Sequence, residues 1–86
     1  MAKYTIEYSK SVKKDLKKID KSSLKAIVQK IYSLVEEPRL SGSIKLSGTR
    51  NLYRVRSGDY RIIYEIKDDV LVVLVVKVGH RKDVYK

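Results

Sequence analysis

Three strand-forming runs follow one another in the second half of this chain with almost nothing between them. Leu52–Arg56, Tyr60–Lys67 and Val70–Val78 are rich in Val, Ile and Tyr, and they are bounded by Ser57-Gly58-Asp59, Asp68-Asp69 and Gly79. Connections this short leave only antiparallel pairing open to neighbouring strands. The last run is apolar on both faces, which suits a strand covered on both sides. A plain three-strand meander would leave it at an edge. The only other strand-like run is Lys3–Tyr8, whose alternation puts Tyr4, Ile6 and Tyr8 on one face. It is therefore expected beside the last strand.

Two helices fill the space between. Ser9 or Ser11 can cap the first, which runs to about Ile19 with Val12, Leu16 and Ile19 on one stripe. Asp20 or Ser22 can cap the second. Its apolar positions, Leu24, Ile27, Val28, Ile31, Leu34 and Val35, keep a 3.6-residue period, and Pro38 stops it. Arg39–Arg50 reads as a loop with an extended segment. The expectation is a single α+β domain over residues 1–86 in the order β-α-α-β-β-β, with two N-terminal helices packed on one face of an antiparallel sheet.

Composition narrows the function. Leu, Ile and Val make 27 of 86 residues, enough for a core, so the high charge does not signal disorder. A chain of this length buries roughly 60–70% of the surface it exposes when unfolded. There is no Cys and one His, so thiol chemistry is excluded and a zinc site would have to be mostly carboxylate. No metal and no small-molecule cofactor are expected. The longest apolar run, Val70–Val76, is far too short to cross a membrane, and Met1–Lys10 lacks the apolar stretch of a secretory signal. A cytoplasmic protein is expected. The formal charge is +10, which favours an acidic partner such as nucleic acid.

The two cationic residue types are segregated. Nine of the fourteen lysines lie in Lys3–Lys30, mostly on the polar faces of the helices, while all six arginines lie in Arg39–Arg81. Lys21 and Lys25 open the second helix and Glu36 and Glu37 close it, against the helix dipole by roughly 0.3–1 kcal/mol per charge. This reads as a solvated face, or as a second anion-contacting surface. The arginines carry more information. A two-residue Gly58-Asp59 turn sets Ser57 opposite Tyr60, Arg56 opposite Arg61, Val55 opposite Ile62 and Arg54 opposite Ile63. Alternation then puts Arg54, Arg56 and Arg61 on one face and Tyr53, Val55, Ile62 and Tyr64 on the face the helices cover. Like charges directly opposite one another destabilise a sheet. A phosphate would relieve them, and the planar guanidinium fork suits one.

Beyond Gly79 come His80, Arg81, Lys82, Asp83, Val84 and Tyr85. With Arg61 paired near Val76, His80 and Arg81 would emerge close to Arg56 and Arg61, and Tyr85 could fold back onto the same face. Cations for a phosphate, a ring for stacking and titratable groups for proton transfer together make a candidate RNA site.

The whole chain resembles the RelE toxins of the RelE/ParE toxin–antitoxin superfamily. The resemblance is carried by Lys45-Leu46-Ser47-Gly48, Leu52-Tyr53-Arg54-Val55-Arg56, Gly58-Asp59-Tyr60-Arg61-Ile62-Ile63-Tyr64 and Val78-Gly79-His80-Arg81-Lys82-Asp83-Val84-Tyr85. It implies a metal-independent endoribonuclease that cuts mRNA in the ribosomal A site: the ribose 2′-hydroxyl attacks the adjacent phosphate, leaving a 2′,3′-cyclic phosphate and a 5′-hydroxyl. It also implies a cognate RelB-like antitoxin. Family active-site positions match Arg54, Arg56, Arg61, Arg81 and Tyr85. Well-known members carry lysines at 54 and 56. Arginine keeps the charge but does not give up a proton at accessible pH, which leaves His80 and Tyr85 as candidates for proton transfer and Glu65 in a minor place. The resulting assignment gives Arg56 and Arg61 to the scissile phosphate, Arg81 to the leaving oxygen, Tyr85 to the nucleotide and Arg54, Lys45 and Lys82 to the RNA backbone. The competing readings are a ParE-like inhibitor of DNA gyrase and a basic RNA- or ribosome-binding module without chemistry.

Overall fold

Each helix starts at a side chain that accepts from its own first turn. In the computed structural model, which describes residues 3–49 and 51–80, Ser9 Oγ accepts from the Val12 amide at 3.2 Å and so caps α1 (Lys10–Lys17). Asp20 does the same for α2 (Lys21–Ser33), accepting from the Ser23 amide at 3.1 Å and from the Ser22 hydroxyl at 2.7 Å. Both helices end sooner than their periodicity suggests. The Leu34 and Val35 amides donate to the carbonyls three residues back, of Ile31 and Tyr32. That tightens the last turn, and Pro38 disfavours helix in the residue before it. Glu36 and Glu37 therefore fall beyond α2, and Lys30 occupies its last turn, which the dipole favours.

The strands are β1 (Thr5–Tyr8), β2 (Ile44–Lys45), β3 (Leu52–Ser57), β4 (Tyr60–Lys67) and β5 (Val72–His80), in the spatial order β1-β5-β4-β3-β2. The first strand does lie beside the last, and the α+β layering is as expected. The sheet is mixed, however: β1 runs parallel to β5 while the remaining pairs are antiparallel. Short turns dictate direction only where they occur. The first strand reaches the others through two helices, a crossover long enough to permit a parallel return. The extended segment expected in Arg39–Arg50 is β2.

The β3–β4 register is the one the Gly58-Asp59 turn dictates, residue by residue from Arg54↔Ile63 to Ser57↔Tyr60. Gly58 takes φ +60°, as the first position of a II′ hairpin turn requires. The β4–β5 register differs from the expectation. The turn is four residues long, Asp68–Leu71, with Leu71 at φ +54° and both Val70 and Leu71 exposed. A bulge between Ile63 and Tyr64 then adds one residue to β5. Together these shifts move Arg61 from Val76 to Gly79.

The core lies between the helices and the sheet. Val12, Ile27, Ile31 and Leu34 meet Val55, Ile62, Tyr64, Ile66, Val73, Val75 and Val78, and all are buried. Tyr4, Ile6 and Tyr8 pack against this cluster from one side of β1, and Leu16 and Ile19 from α1 and the turn after it. At the far end a polar clasp closes the molecule. Arg39 donates two hydrogen bonds to Asp68, at 2.8 and 3.3 Å, and the Tyr4 hydroxyl donates to the same carboxylate at 2.6 Å. Arg39 Nε also reaches the Tyr53 hydroxyl at 3.3 Å, and buried Tyr64 donates to the Pro38 carbonyl at 2.7 Å. The guanidinium holds the Asp68 carboxyl below its ordinary range, helped by Tyr4. No helix among the described residues is long and apolar enough to cross a membrane.

Candidate RNA-binding site

Along β3 and β4 the side chains of one parity enter the core, and those of the other do not. Val55, Ile62, Tyr64 and Ile66 are buried. Arg54, Arg56 and Arg61 therefore stand on the opposite face, Arg56 directly across from Arg61 and Arg54 one alternation step along the strand. Arg56 is exposed, and the other two are half-buried. With Gly42, Ile44 and Val55 the three arginines line a shallow cleft of about 190 Å³. The face around them is not bare polar surface. Leu52, Ile63, Val72, Leu74 and Val76 are half-buried on or beside it, and Ile44 of β2 is exposed there, opposite Arg54. The sequence signal for this was the apolar character of the last strand on both sides.

Two like charges opposed on a sheet cost roughly 0.2–1 kcal/mol relative to neutral pairs. An anion placed between them removes that cost and accepts charge-assisted hydrogen bonds from both guanidiniums. The site is therefore suited to holding a phosphate and to stabilising charge that develops on it. The three arginines themselves do not supply a base, because guanidinium stays protonated.

His80 does not join this cluster. It pairs with Tyr60, and its ring meets the Tyr60 ring edge-on at 5.7 Å between centroids and 76° between planes. Both rings are on the helix side, where His80 borders clefts that also touch Asp15, Lys18, Asp20 and Ser23. The bulge explains the change. Without it, Val73 and Val75 in the core would put His80 on the arginine face; the extra residue in β5 reverses the alternation, so that Val78 is buried and His80 follows it to the helix side. Glu65 does share the arginine face by parity, but it is four residues, about 13 Å, from Arg61 along the strand. Lys45 is exposed on edge strand β2, on the parity opposite to Ile44 and Arg54. Arg81, Lys82 and Tyr85 lie outside the described residues. Arg39, one of the six arginines, serves the fold instead and is committed to Asp68 in the clasp. No group of three His, Cys, Asp or Glu that could hold a metal ion occurs among the described residues.

Comparison with known proteins identifies the family and the fold. Residues 6–85 match the sequence profile of the ParE toxin of type II toxin-antitoxin system, parDE. The chain belongs to the RelE/ParE family of toxins. It is 34% identical to the putative toxin RelE1 of Methanocaldococcus jannaschii over 98% of this chain and 97% of that one. It is 28% identical to the mRNA interferase toxin RelE of Escherichia coli K12, over 92% of this chain and 84% of that one. Among solved structures, the archaeal RelE–RelB complex from Pyrococcus horikoshii superposes with a TM-score of 0.81 at 33% identity, covering 96% of this chain and 99% of that chain. The RelE/ParE family match extends beyond the arginine hairpin, to β1, the helices and the last strand.

Proposed function

We propose that this chain is the toxin of a type II toxin–antitoxin pair and that it cuts mRNA in the A site of the ribosome. The observation that carries this is Arg56 facing Arg61 across the hairpin, with Arg54 beside them, on a sheet face the helices leave uncovered. A relative named as an mRNA interferase supports the reaction class. In the reaction, the ribose 2′-oxygen forms a bond to phosphorus and the bond from phosphorus to the 5′-oxygen breaks. The products are a 2′,3′-cyclic phosphate and a 5′-hydroxyl. The 2′-hydroxyl loses a proton, and the departing 5′-oxygen gains one.

Arg56 and Arg61 bind the scissile phosphate and the charge that builds on its oxygens. A preorganised cation at that position contributes on the order of 3 kcal/mol. Arg54 and Lys82 follow the RNA backbone, Lys45 reaches it only round the open edge of β2 because its side chain starts from the helix side, Arg81 serves the leaving oxygen and Tyr85 orients the nucleotide. His80, on the far side of the sheet, leaves the set of proton-transfer candidates, and catalysis rests chiefly on electrostatics and substrate alignment. The partner that silences the toxin is a RelB-like antitoxin, since the Pyrococcus neighbour is solved as a RelE–RelB complex. The setting is the cytoplasm, where ribosomes are.

The test is end-mapping of a defined mRNA on ribosomes with an empty A site, beside naked mRNA. A single cut inside the A-site codon, on ribosomes only, supports the reading. Cuts on naked RNA keep the chemistry and remove the ribosome from it. The matching profile bears the name of ParE, so a gyrase-directed toxin is the second reading. Inhibition of gyrase supercoiling without any RNA cut would establish it instead.

A further inference from the structure

Among the described residues, four large apolar side chains are exposed: Tyr32, Ile44, Val70 and Leu71. Tyr32 is on α2, and Val70 and Leu71 belong to the β4–β5 turn. Ile44 is the one on a strand, and it stands 50% exposed on the arginine face. A turn over residues 40–43 brings the chain there. Ser43 donates to the Leu40 carbonyl at 2.8 Å, and Gly42 takes φ +91°, as the third position of a type II turn requires. Ile44 then pairs with Arg54 and lines the same cleft of about 190 Å³ as Arg54, Arg56 and Arg61.

Nothing in the fold calls for an isoleucine at this position. Ile44 belongs neither to the buried core nor to the apolar residues packed against it. Leaving such a side chain in water forgoes the gain from burying it. Its exposed neighbour Lys45 already supplies the charge that protects an edge strand. Any β-branched residue, threonine included, would suit a two-residue strand as well. The surroundings say what the apolar surface is for. A nucleobase is a flat ring joined through its sugar to a phosphate. Single-stranded RNA is recognised by laying such rings on side chains and on guanidinium planes. By strand spacing, Ile44 is roughly 10 Å from the point between Arg56 and Arg61, within reach of the nucleotide whose phosphate is held there. A cleft of about 190 Å³ takes one base and has no room for a helix or strand of a protein partner.

We infer that Ile44, with Arg54 opposite it, is the platform for the base next to the scissile phosphate, and that residue 44 thereby biases which A-site codons are cut. This rests on the cleavage reaction proposed above and adds a base contact to it. The arginines hold any sequence, because a phosphate carries no base identity. Ile44 is where the site discriminates: a purine covers more of the platform than a pyrimidine and gains more from it.

The test measures cleavage on ribosomes with an empty A site, for codons carrying a purine or a pyrimidine on either side of the cut. The parent is compared with Ile44→Thr, Ile44→Val and Ile44→Phe. Valine and threonine have nearly the same shape and both suit a strand, so a difference between them reports apolar contact and not folding; melting curves verify that all four proteins are folded. At saturating toxin, Ile44→Thr is expected to cut about fivefold more slowly where a purine occupies the platform position, and within about twofold of the parent where a pyrimidine does. Ile44→Val keeps most of the apolar surface and restores the rate to within about twofold, while Ile44→Phe widens the purine preference. Equal losses in all three variants would overturn the inference and make the role of Ile44 structural. A loss that is uniform over codons would overturn it too, as would an Ile44→Thr protein that cuts like the parent but no longer binds its antitoxin. A parent that generates no RNA ends fails the nuclease reading and the inference with it. A parent that cuts, beside an Ile44→Thr variant with the same rates and codon profile, fails the inference alone.

Discussion

On one side of β4, Tyr60, Ile62, Tyr64 and Ile66 look into the helices, and the last three are buried. On the other side, Arg61, Ile63, Glu65 and Lys67 are half-exposed and flank a cluster of like charges. The first side is organised for stability: apolar groups enclosed, and the Tyr64 hydroxyl bonded to Pro38 at 2.7 Å. The second breaks a rule of sheet design by placing Arg56 opposite Arg61. Local rules are commonly broken where a ligand compensates for the break. The difference separates residues that hold the fold from residues that use it, within a single eight-residue strand.

The largest expected effect is on the covered side. Ile62→Ala leaves a cavity among fully buried neighbours and costs about 2–5 kcal/mol. For a domain whose total stability is of the order of 5–15 kcal/mol, thermal melting will show a large loss. A Tm unchanged within a degree would mean that this side of β4 is not the core. On the uncovered side the effect is kinetic. Arg61→Ala slows ribosome-dependent cleavage by about 100-fold with the melting curve close to the parent's, in line with the loss of one transition-state contact. Parental growth arrest by this variant would break the comparison.

The contrast was legible in sequence because its cause is short-range. A two-residue turn with glycine first fixes the register of β3 against β4, and register plus alternation assigns every face. Ser9 and Asp20 were equally readable as caps, since an oxygen at that position has amides waiting for it. What escaped depends on longer-range matters. The bulge beside Tyr64 has no local marker in a run of seven apolar residues, yet it decides that His80 faces the helices. Nor does any turn state the direction of β1, because two helices intervene. The Asp68–Leu71 turn runs two residues past the Asp68-Asp69 signal, with Leu71 in the left-handed region. The role of Arg39 was hidden for the same reason: its partner, Asp68, is 29 residues away in sequence.

The clasp sharpens the comparison from another direction, since it shows an arginine used for structure. Asp68 titrates below its ordinary value because Arg39 and Tyr4 bond its charged form. Its contribution to stability is therefore present above the unfolded carboxyl value, near 4, and is lost as the pH falls through the lower folded value. Melting curves between pH 6 and pH 2 should decline more for the parent than for Asp68→Asn. Parallel declines would show that the clasp adds nothing.

The smallest effect concerns the opposed charges themselves. Arg56→Ala removes like-charge repulsion, so stability should stay level or rise by about 0.2–1 kcal/mol while cleavage falls. Denaturant unfolding checks the sign. A clear loss of stability would mean that Arg56 has a structural role.

The most direct measurement sets the two faces against each other at one strand end. End-mapping on ribosomes with an empty A site, run with the parent, Arg61→Ala and His80→Ala, follows the same cut in all three. The uncovered face as the seat of the chemistry predicts one cut in the A-site codon, His80→Ala within about threefold of the parent, and Arg61→Ala slower by about 100-fold. A near-parental Arg61→Ala together with an inactive His80→Ala would contradict it and move the reaction to the helix side of the sheet.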